Sequence, residues 1–159
     1  MSLRLTLCFA LQAAAACSAQ TDVPVRAPVD WKRIDAGPFY FFAPADIRDA
    51  TAPGIAYDSY AREFVGQALV LHFDYGQWSN DLNYDYPSFR AHQETIGGKP
   101  AKMVSFIAPP AKEFRYENFR AVYFVDTGKP NMHLTMTASC DGVSSCRDAE
   151  EIFRTVRFK

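Results

Sequence analysis

Apolar and polar residues alternate along several stretches of the chain, and this alternation predicts β-strands. It is clearest in residues 68–75 and 132–139, where every second side chain is apolar and His, Asp or Thr occur between them. Residues 39–43 form a shorter, aromatic-rich stretch that ends at Pro44, as expected for a strand that meets a turn. These stretches predict a sheet with one apolar face and one partly polar face.

Two hairpins connect further strands. Residues 90–96 and 101–107 are joined by the sequence Gly-Gly-Lys-Pro, and paired glycines accept the positive φ angles that tight hairpin turns require. Residues 121–125 and 132–139 form a second pair around Thr-Gly-Lys-Pro-Asn. Strands joined by short turns run antiparallel, so the sheet should be largely antiparallel.

Near the C-terminus the apolar spacing becomes helical. Ser145 is placed to cap a helix, with Asp148 three residues later in a box-like arrangement. The apolar residues at helical spacing are Ala149, Ile152, Phe153 and Val156. Residues 155–158 could instead close as a short strand, and a second helix is an alternative around residues 59–67. The pattern predicts an α+β fold: a single domain whose mainly antiparallel sheet is flanked by one or two helices, including a C-terminal helix.

The order of these elements resembles a known group of domains. The Phe-rich strand before Pro44, the Gly-Gly-Lys-Pro hairpin and the closing sequence Ala-Glu-Glu-Ile-Phe-Arg-Thr-Val-Arg of residues 149–157 are similar to the Mog1/PsbP-like α/β/α sandwich domains, especially their terminal helix and strand. The resemblance implies an antiparallel sheet flanked by helices and an accessory or binding role. No functional residue of that group matches a position here, and a shared fold alone does not supply a function.

The N-terminal segment predicts export. Residues 1–19 contain Arg4, an apolar run over residues 5–16 and small residues after it, as in a cleavable signal peptide. The run is shorter than the roughly 20 residues that cross a bilayer. Cleavage is expected either before Cys17 or after Ala19.

These two cleavage sites have different consequences. The sequence Ala-Ala-Ala-Cys-Ser resembles a bacterial lipobox, in which Cys17 becomes the lipidated first residue, although Ala14 stands where Leu is usual. Cleavage after Ala19 would instead release a protein without a lipid anchor. Residues 20–30 contain two prolines and are predicted to be an extended tether. The globular domain is then residues 31–159, a normal size for one hydrophobic core.

Two cysteines remain after the signal segment. Cys140 and Cys146 are separated by a short Asp-Gly-Val-Ser-Ser sequence that can bring their sulfurs together, and a disulfide persists in an oxidising compartment. The alternative of redox or zinc chemistry is disfavoured because the spacing is not Cys-X-X-Cys and no second cysteine pair is present. The chain has 17 basic and 18 acidic residues, so it lacks the positive charge that nucleic-acid binding requires.

The least ordinary sequence is residues 74–89, which combines aromatic rings with side-chain oxygens. Trp78, Tyr84 and Tyr86 could form a stacking surface for a sugar or peptide, with Asp81 and Asp85 beside them as polar contacts. The alternative is that these rings fold back and cover one end of the sheet.

Acidic residues in the same stretch suggest calcium. Asp81, Asn83 and Asp85 alternate as in the first half of an EF-hand loop, but Tyr86 stands where Gly is needed and His92 where a bidentate Glu belongs. We therefore predict a solvated turn, with no metal and no cofactor; an irregular cation site that uses Asp74 or Glu94 is the alternative.

A catalytic pair is also conceivable. His72 and Asp74 share a strand face, yet no nucleophile motif accompanies them. The sequence favours an exported, non-catalytic cell-envelope protein, periplasmic or lipid-anchored at Cys17, that binds an envelope protein or a small ligand. The alternatives are a small periplasmic enzyme that uses His72 and Asp74, or a purely structural lipoprotein.

Overall fold

The computed structural model describes residues 27–52, 59–109 and 115–159. Within these ranges the chain forms one helix and strands that belong to two antiparallel sheets. The strands are β1 (Trp31–Asp35), β2 (Phe39–Pro44), β3 (Arg48–Asp49), β4 (Ser59–Val65), β5 (Leu69–Gly76), β6 (Arg90–Ile96), β7 (Lys99–Ile107), β8 (Asn118–Phe124), β9 (His133–Cys140) and β10 (Arg157–Phe158), and the helix is α1 (Val143–Arg154). The α+β class with a mainly antiparallel sheet and a C-terminal helix is confirmed.

The main sheet is larger than the sequence indicated. Its seven strands lie in the order β3-β4-β5-β9-β8-β7-β6, and a second sheet has the order β1-β2-β10. The alternative helix around residues 59–67 is wrong, because residues 59–65 form β4 and pair with β5 along their whole length. Tyr60, Arg62 and Phe64 lie on one face of this strand, which is the two-residue period of a strand.

The front face of the main sheet holds the larger core. Apart from Val70, the apolar side chains of β5 and β9 point to this face and are buried, as the alternation predicts. Helix α1 packs on β8 and β9, and the small sheet packs beside it. The rings of Phe39 on β2 and Phe73 on β5 meet edge to face, with centroids 5.0 Å apart. Aromatic side chains that are buried in this way contribute strongly to the stability of a core.

The start of α1 differs from the predicted cap. Gly142 is the N-cap residue, and Ser145 lies three positions inside the helix. The Ser145 hydroxyl accepts a hydrogen bond from the Gly142 N–H at 3.1 Å and donates one to Asp141. Ser145 therefore accepts the hydrogen bond from the free N–H of the N-cap residue. This is the role of the N3 side chain in a capping box.

The two ends of α1 are tied to the sheets. Cys140, the last residue of β9, forms a disulfide with Cys146 of α1, with Cα atoms 5.3 Å apart, so the predicted pairing is confirmed. At the other end Val156 lies beyond the helix, and Arg157–Phe158 continues as β10 beside β2. The alternative of a short closing strand is therefore the one observed, for residues 157–158.

The hairpin between β6 and β7 turns at Gly97 and Gly98, whose φ angles are +57° and +74°. This agrees with the turn predicted from the paired glycines. A Cβ atom on Gly97 would lie 2.8 Å from the carbonyl oxygen of Val156, whereas one on Gly98 would meet nothing within 4 Å. The turn is therefore packed against the C-terminal segment at Gly97 only.

Replacing these two glycines separates backbone strain from steric overlap. Gly98→Ala should cost about 1–2 kcal/mol, the penalty of a left-handed conformation for a residue with a Cβ. Gly97→Ala carries the same penalty and also forces Val156 away, which should add about 1–3 kcal/mol, as overpacking does. Urea unfolding of both variants measures the difference, and equal destabilisation would show that the Gly97 contact is unimportant.

Candidate binding site

The connection between β5 and β6, residues 77–89, crosses the reverse face of the main sheet; we call it the crossing segment. Leu82 is fully buried there in a second apolar cluster with Val104, Phe106, Ala108 and Ala121. These sheet residues alternate with side chains that face the front core, so the cluster lies on the opposite side. The crossing segment is therefore a cover for an apolar patch and packs on the sheet as a layer of its own.

Side-chain hydrogen bonds fix the start of the crossing segment. The Ser79 hydroxyl donates to the carbonyl of Asp74 at 2.9 Å, and the Thr135 hydroxyl donates to the carbonyl of Asn80 at 2.6 Å. The Asn80 side chain accepts a hydrogen bond from the Leu82 N–H at 2.7 Å. This turn holds Leu82 at a φ of 58°, a conformation that costs a leucine about 1–2 kcal/mol and that its burial offsets.

Lys102 on β7 holds the middle of the segment. Its ammonium group donates to the carbonyls of Asp81 and Leu82, both at 3.0 Å, and to Oδ1 of Asn83 at 2.6 Å. An ammonium group has three donor hydrogens, so all three are used. Lys102 satisfies segment carbonyls that lack a strand partner.

The aromatic residues of the segment divide into two kinds. Tyr84 and Tyr86 are half-buried, with ring centroids 5.1 and 5.0 Å from that of Phe106. Trp78 is 77% exposed. The two tyrosines thus cover the sheet, as the alternative interpretation of this sequence anticipated, and Trp78 presents its ring to solvent.

A cavity of about 260 Å³ lies where the crossing segment meets β6, β7 and β8. Its lining is formed by Asp81, Asn83, Gln93, Pro100, Lys102, Tyr123 and Val125. Gln93, Lys102 and Tyr123 are aligned across three neighbouring strands, since Gln93 pairs with Lys102 and Lys102 with Tyr123. The sheet supplies the floor of the cavity and the segment supplies one wall.

Burial and a neighbouring negative charge both raise the pKa of the phenol in the cavity. Burial raises the pKa of Tyr123, and the negative charge of Asp81 raises it further. The pKa of Tyr84 is also raised, first by burial and then by Tyr86 and Asp81. A phenol with an ordinary or raised pKa is protonated at neutral pH, so the Tyr123 hydroxyl is a hydrogen-bond donor as well as an acceptor.

Asp81 and Asp85, the acidic residues of the crossing segment, have different surroundings. Asn83 Nδ2 donates to Asp81 Oδ2 at 2.6 Å, while Oδ1 of Asn83 accepts from Lys102. Asp85 is exposed on the segment. In residues 27–52, 59–109 and 115–159 no group of three or more His, Cys, Asp or Glu side chains has a metal-binding arrangement.

The His72 and Asp74 pair lies elsewhere on the reverse face. The two residues share one face of β5, with His72 opposite Glu63 and Thr137 in the neighbouring strands. His72 is exposed, and one carboxylate oxygen of Asp74 is buried without a hydrogen-bond partner among the described residues. Neither residue lines the cavity.

Sequence reasoning missed several residues of this site. Gln93 and Lys102 could have been paired from the Gly-Gly hairpin, because a two-residue turn fixes which residues face each other. Tyr123 belongs to the other hairpin, and nothing local predicts how the two hairpins align. The burial of Leu82 could not be predicted, because a single leucine among polar residues does not indicate a core position.

Comparisons with known proteins give no family. No protein-family model matches the chain, and no curated protein sequence matches it significantly. Among the residues that the structure describes, no helix has the length and apolar character needed to span a bilayer. The site must therefore be interpreted from its own chemistry.

Removing the Lys102 ammonium should release the crossing segment. Lys102→Met keeps most of the aliphatic chain but leaves a part-buried carbonyl unsatisfied, which should cost about 1–3 kcal/mol. Lys99→Met is the matched control on the same strand, because the one acidic partner of Lys99 among the described residues is the exposed Asp126, and such pairs contribute about 0–1 kcal/mol. Hydrogen exchange should accelerate at residues 80–84 in Lys102→Met alone; unchanged exchange there would contradict the role given to Lys102.

The cavity geometry also predicts a pH effect. A phenol whose pKa is raised on folding contributes stability that is lost as the pH rises above its unfolded value of about 10. Asp81→Asn removes one cause of the shift and should lower the pKa of Tyr123 part of the way, while the contribution of burial remains. Asp85→Asn is the control. NMR titration of the tyrosine rings measures the pKa of Tyr123 in both variants. Equal values would contradict the proximity of Asp81.

Proposed function

We propose that this protein is an exported, non-catalytic cell-envelope protein that binds a partner or small ligand through the crossing segment and the adjoining cavity. The observation that carries the proposal is the exposed ring of Trp78 on a segment that also forms a cavity wall. Trp78 precedes Asp81 by three residues, so their Cα atoms are separated by no more than about 11 Å. An exposed aromatic ring beside a partly polar cavity is typical of binding sites.

The environment of the protein is part of the proposal. Residues 1–19, which carry the export prediction, and Cys17 lie outside the described residues. The disulfide between Cys140 and Cys146 supports an oxidising compartment such as the periplasm. The antiparallel sheet with its C-terminal helix is compatible with the accessory role that a Mog1/PsbP-like domain would imply.

Export and anchoring can be measured on the native protein. We expect the envelope fraction to contain a shortened chain whose N-terminus, by mass spectrometry, is a lipidated Cys17. A chain that starts at Gln20 instead would retain the export proposal and reject the anchor. Full-length protein in the cytoplasm would reject both. A Cys17→Ala variant that still incorporates labelled lipid would show that any lipid is attached elsewhere.

Binding through the segment can be tested by capture from the solubilised envelope of the producing bacterium. Trp78→Ala should reduce the captured component at least several-fold, because truncating an aromatic anchor in a binding surface commonly costs more than 1 kcal/mol. Val143→Ala is the control, since Val143 is 80% exposed but lies at the start of α1. Equal capture by all three proteins, or none by any, would reject the segment as the binding surface.

A further inference from the structure

We propose that the cavity between the crossing segment and the β6-β7-β8 strands binds one ring of a neutral, hydroxyl-rich saccharide. This inference rests on the proposed binding function and specifies its ligand class. It follows from which hydrogen-bonding groups of the lining are already used within the protein and which are not.

The charged groups of the cavity are balanced and largely occupied. Lys102 uses its three donor hydrogens on the crossing segment, so no hydrogen of this ammonium is left for an anionic ligand. Asp81 is the other charged residue of the lining, and one of its oxygens accepts from Asn83. An anion would meet the negative charge of Asp81 without a free cationic donor, and this repulsion disfavours anionic ligands.

The remaining groups suit hydroxyls. Gln93 and Tyr123 line the cavity, and neither side chain makes a hydrogen bond to another described residue. Gln93 offers both amide donors and a carbonyl acceptor, Tyr123 offers a hydroxyl, and one Asp81 oxygen has no side-chain partner. A hydroxyl donates and accepts at once, so adjacent hydroxyls on one ring can satisfy all three residues.

The apolar parts of the lining and the size of the cavity agree with a ring. The Tyr123 ring, Pro100 and Val125 give flat or apolar surface against which the C–H face of a sugar can pack. The volume of about 260 Å³ is below the roughly 300–1,000 Å³ of sites that enclose drug-sized ligands. Most of the lining residues are exposed, so the cavity would contact about one ring without enclosing it, and a longer glycan would continue into solvent.

A peptide is the competing ligand class. An extended peptide would place one side chain in the cavity, and a side chain rarely presents three polar groups to Asp81, Gln93 and Tyr123 together. A peptide that covers these groups without pairing them would remove part of their hydration, which weakens binding. The polar lining thus favours a saccharide over a peptide.

The test is an NMR titration of the whole ¹⁵N-labelled protein, as purified and with its disulfide intact. Methyl glucoside, methyl galactoside and N-acetylglucosamine are the neutral probes, with glucuronate, glucosamine and a Gly-Ser-Gly peptide for comparison. We expect at least one neutral sugar to shift the Gln93 side-chain amide signals with saturation, and to bind more tightly than the charged sugars and the peptide. No saturable shift with any neutral sugar, or preferential binding of the peptide, would overturn the proposal.

Variants of the lining residues test whether the NMR shifts arise from a sugar bound in the cavity. Tyr123→Phe and Gln93→Leu should each weaken sugar binding about 3–10-fold, the effect of losing one neutral hydrogen bond. Thr95→Val, on the same face of β6 but outside the lining, is the control and should leave affinity unchanged. Unchanged affinity in Tyr123→Phe and Gln93→Leu, with folding verified by thermal melting, would place the sugar elsewhere and reject the inference.

Different results would reject the binding function and the saccharide inference. If Trp78→Ala abolishes envelope capture while no neutral sugar binds, the binding function stands and the saccharide inference is wrong. If sugars bind in the cavity but capture does not depend on Trp78, the ligand class is supported and the larger binding surface is not.

Discussion

The path of the chain between β5 and β6 is the constraint on which the reverse side of the molecule depends. These strands are consecutive in sequence, yet β9, β8 and β7 lie between them in the sheet. At about 4.8 Å per strand, the connection must cover roughly 19 Å. Helix α1 packs on β8 and β9 from the front, so the crossing segment runs over the reverse face. It covers Val104 and Phe106 there, which would otherwise be exposed apolar side chains.

A segment that lies flat on a sheet cannot form strand hydrogen bonds with it, and its buried backbone groups still need partners. Lys102 supplies those partners at the centre of the crossing segment, and Thr135 supplies one near its start. The same arrangement determines the chemistry of the cavity. Because the ammonium of Lys102 is used to hold the segment, the groups left at the cavity are the neutral amide of Gln93, the neutral phenol of Tyr123 and part of the Asp81 carboxylate.

The sequence predicted the elements whose signals are local. Alternation gave β5 and β9, paired glycines gave the β6-β7 hairpin, and helical spacing gave α1. It did not predict β4, whose mixed residues have no clear period, or the order of the hairpins in the sheet, which depends on long-range packing. The same holds for the candidate site. The residue types of Trp78 and Asp81 indicated a binding role, whereas Tyr123 lies at the cavity only because β8 is aligned with β7.

The two faces of the main sheet also differ in the interactions that stabilise them. The front core is wide and apolar, and the Cys140–Cys146 disulfide links β9 to α1 on that side. The reverse layer has a smaller apolar cluster around Leu82 and Phe106, and polar contacts complete it. Local opening requires less free energy where fewer apolar contacts are lost. Opening of the crossing segment should therefore require less free energy than unfolding of the front core. If the proposed ligand binds between Asp81 and Gln93, it would bind most tightly to the closed form and would favour the ordered state of the segment that carries Trp78.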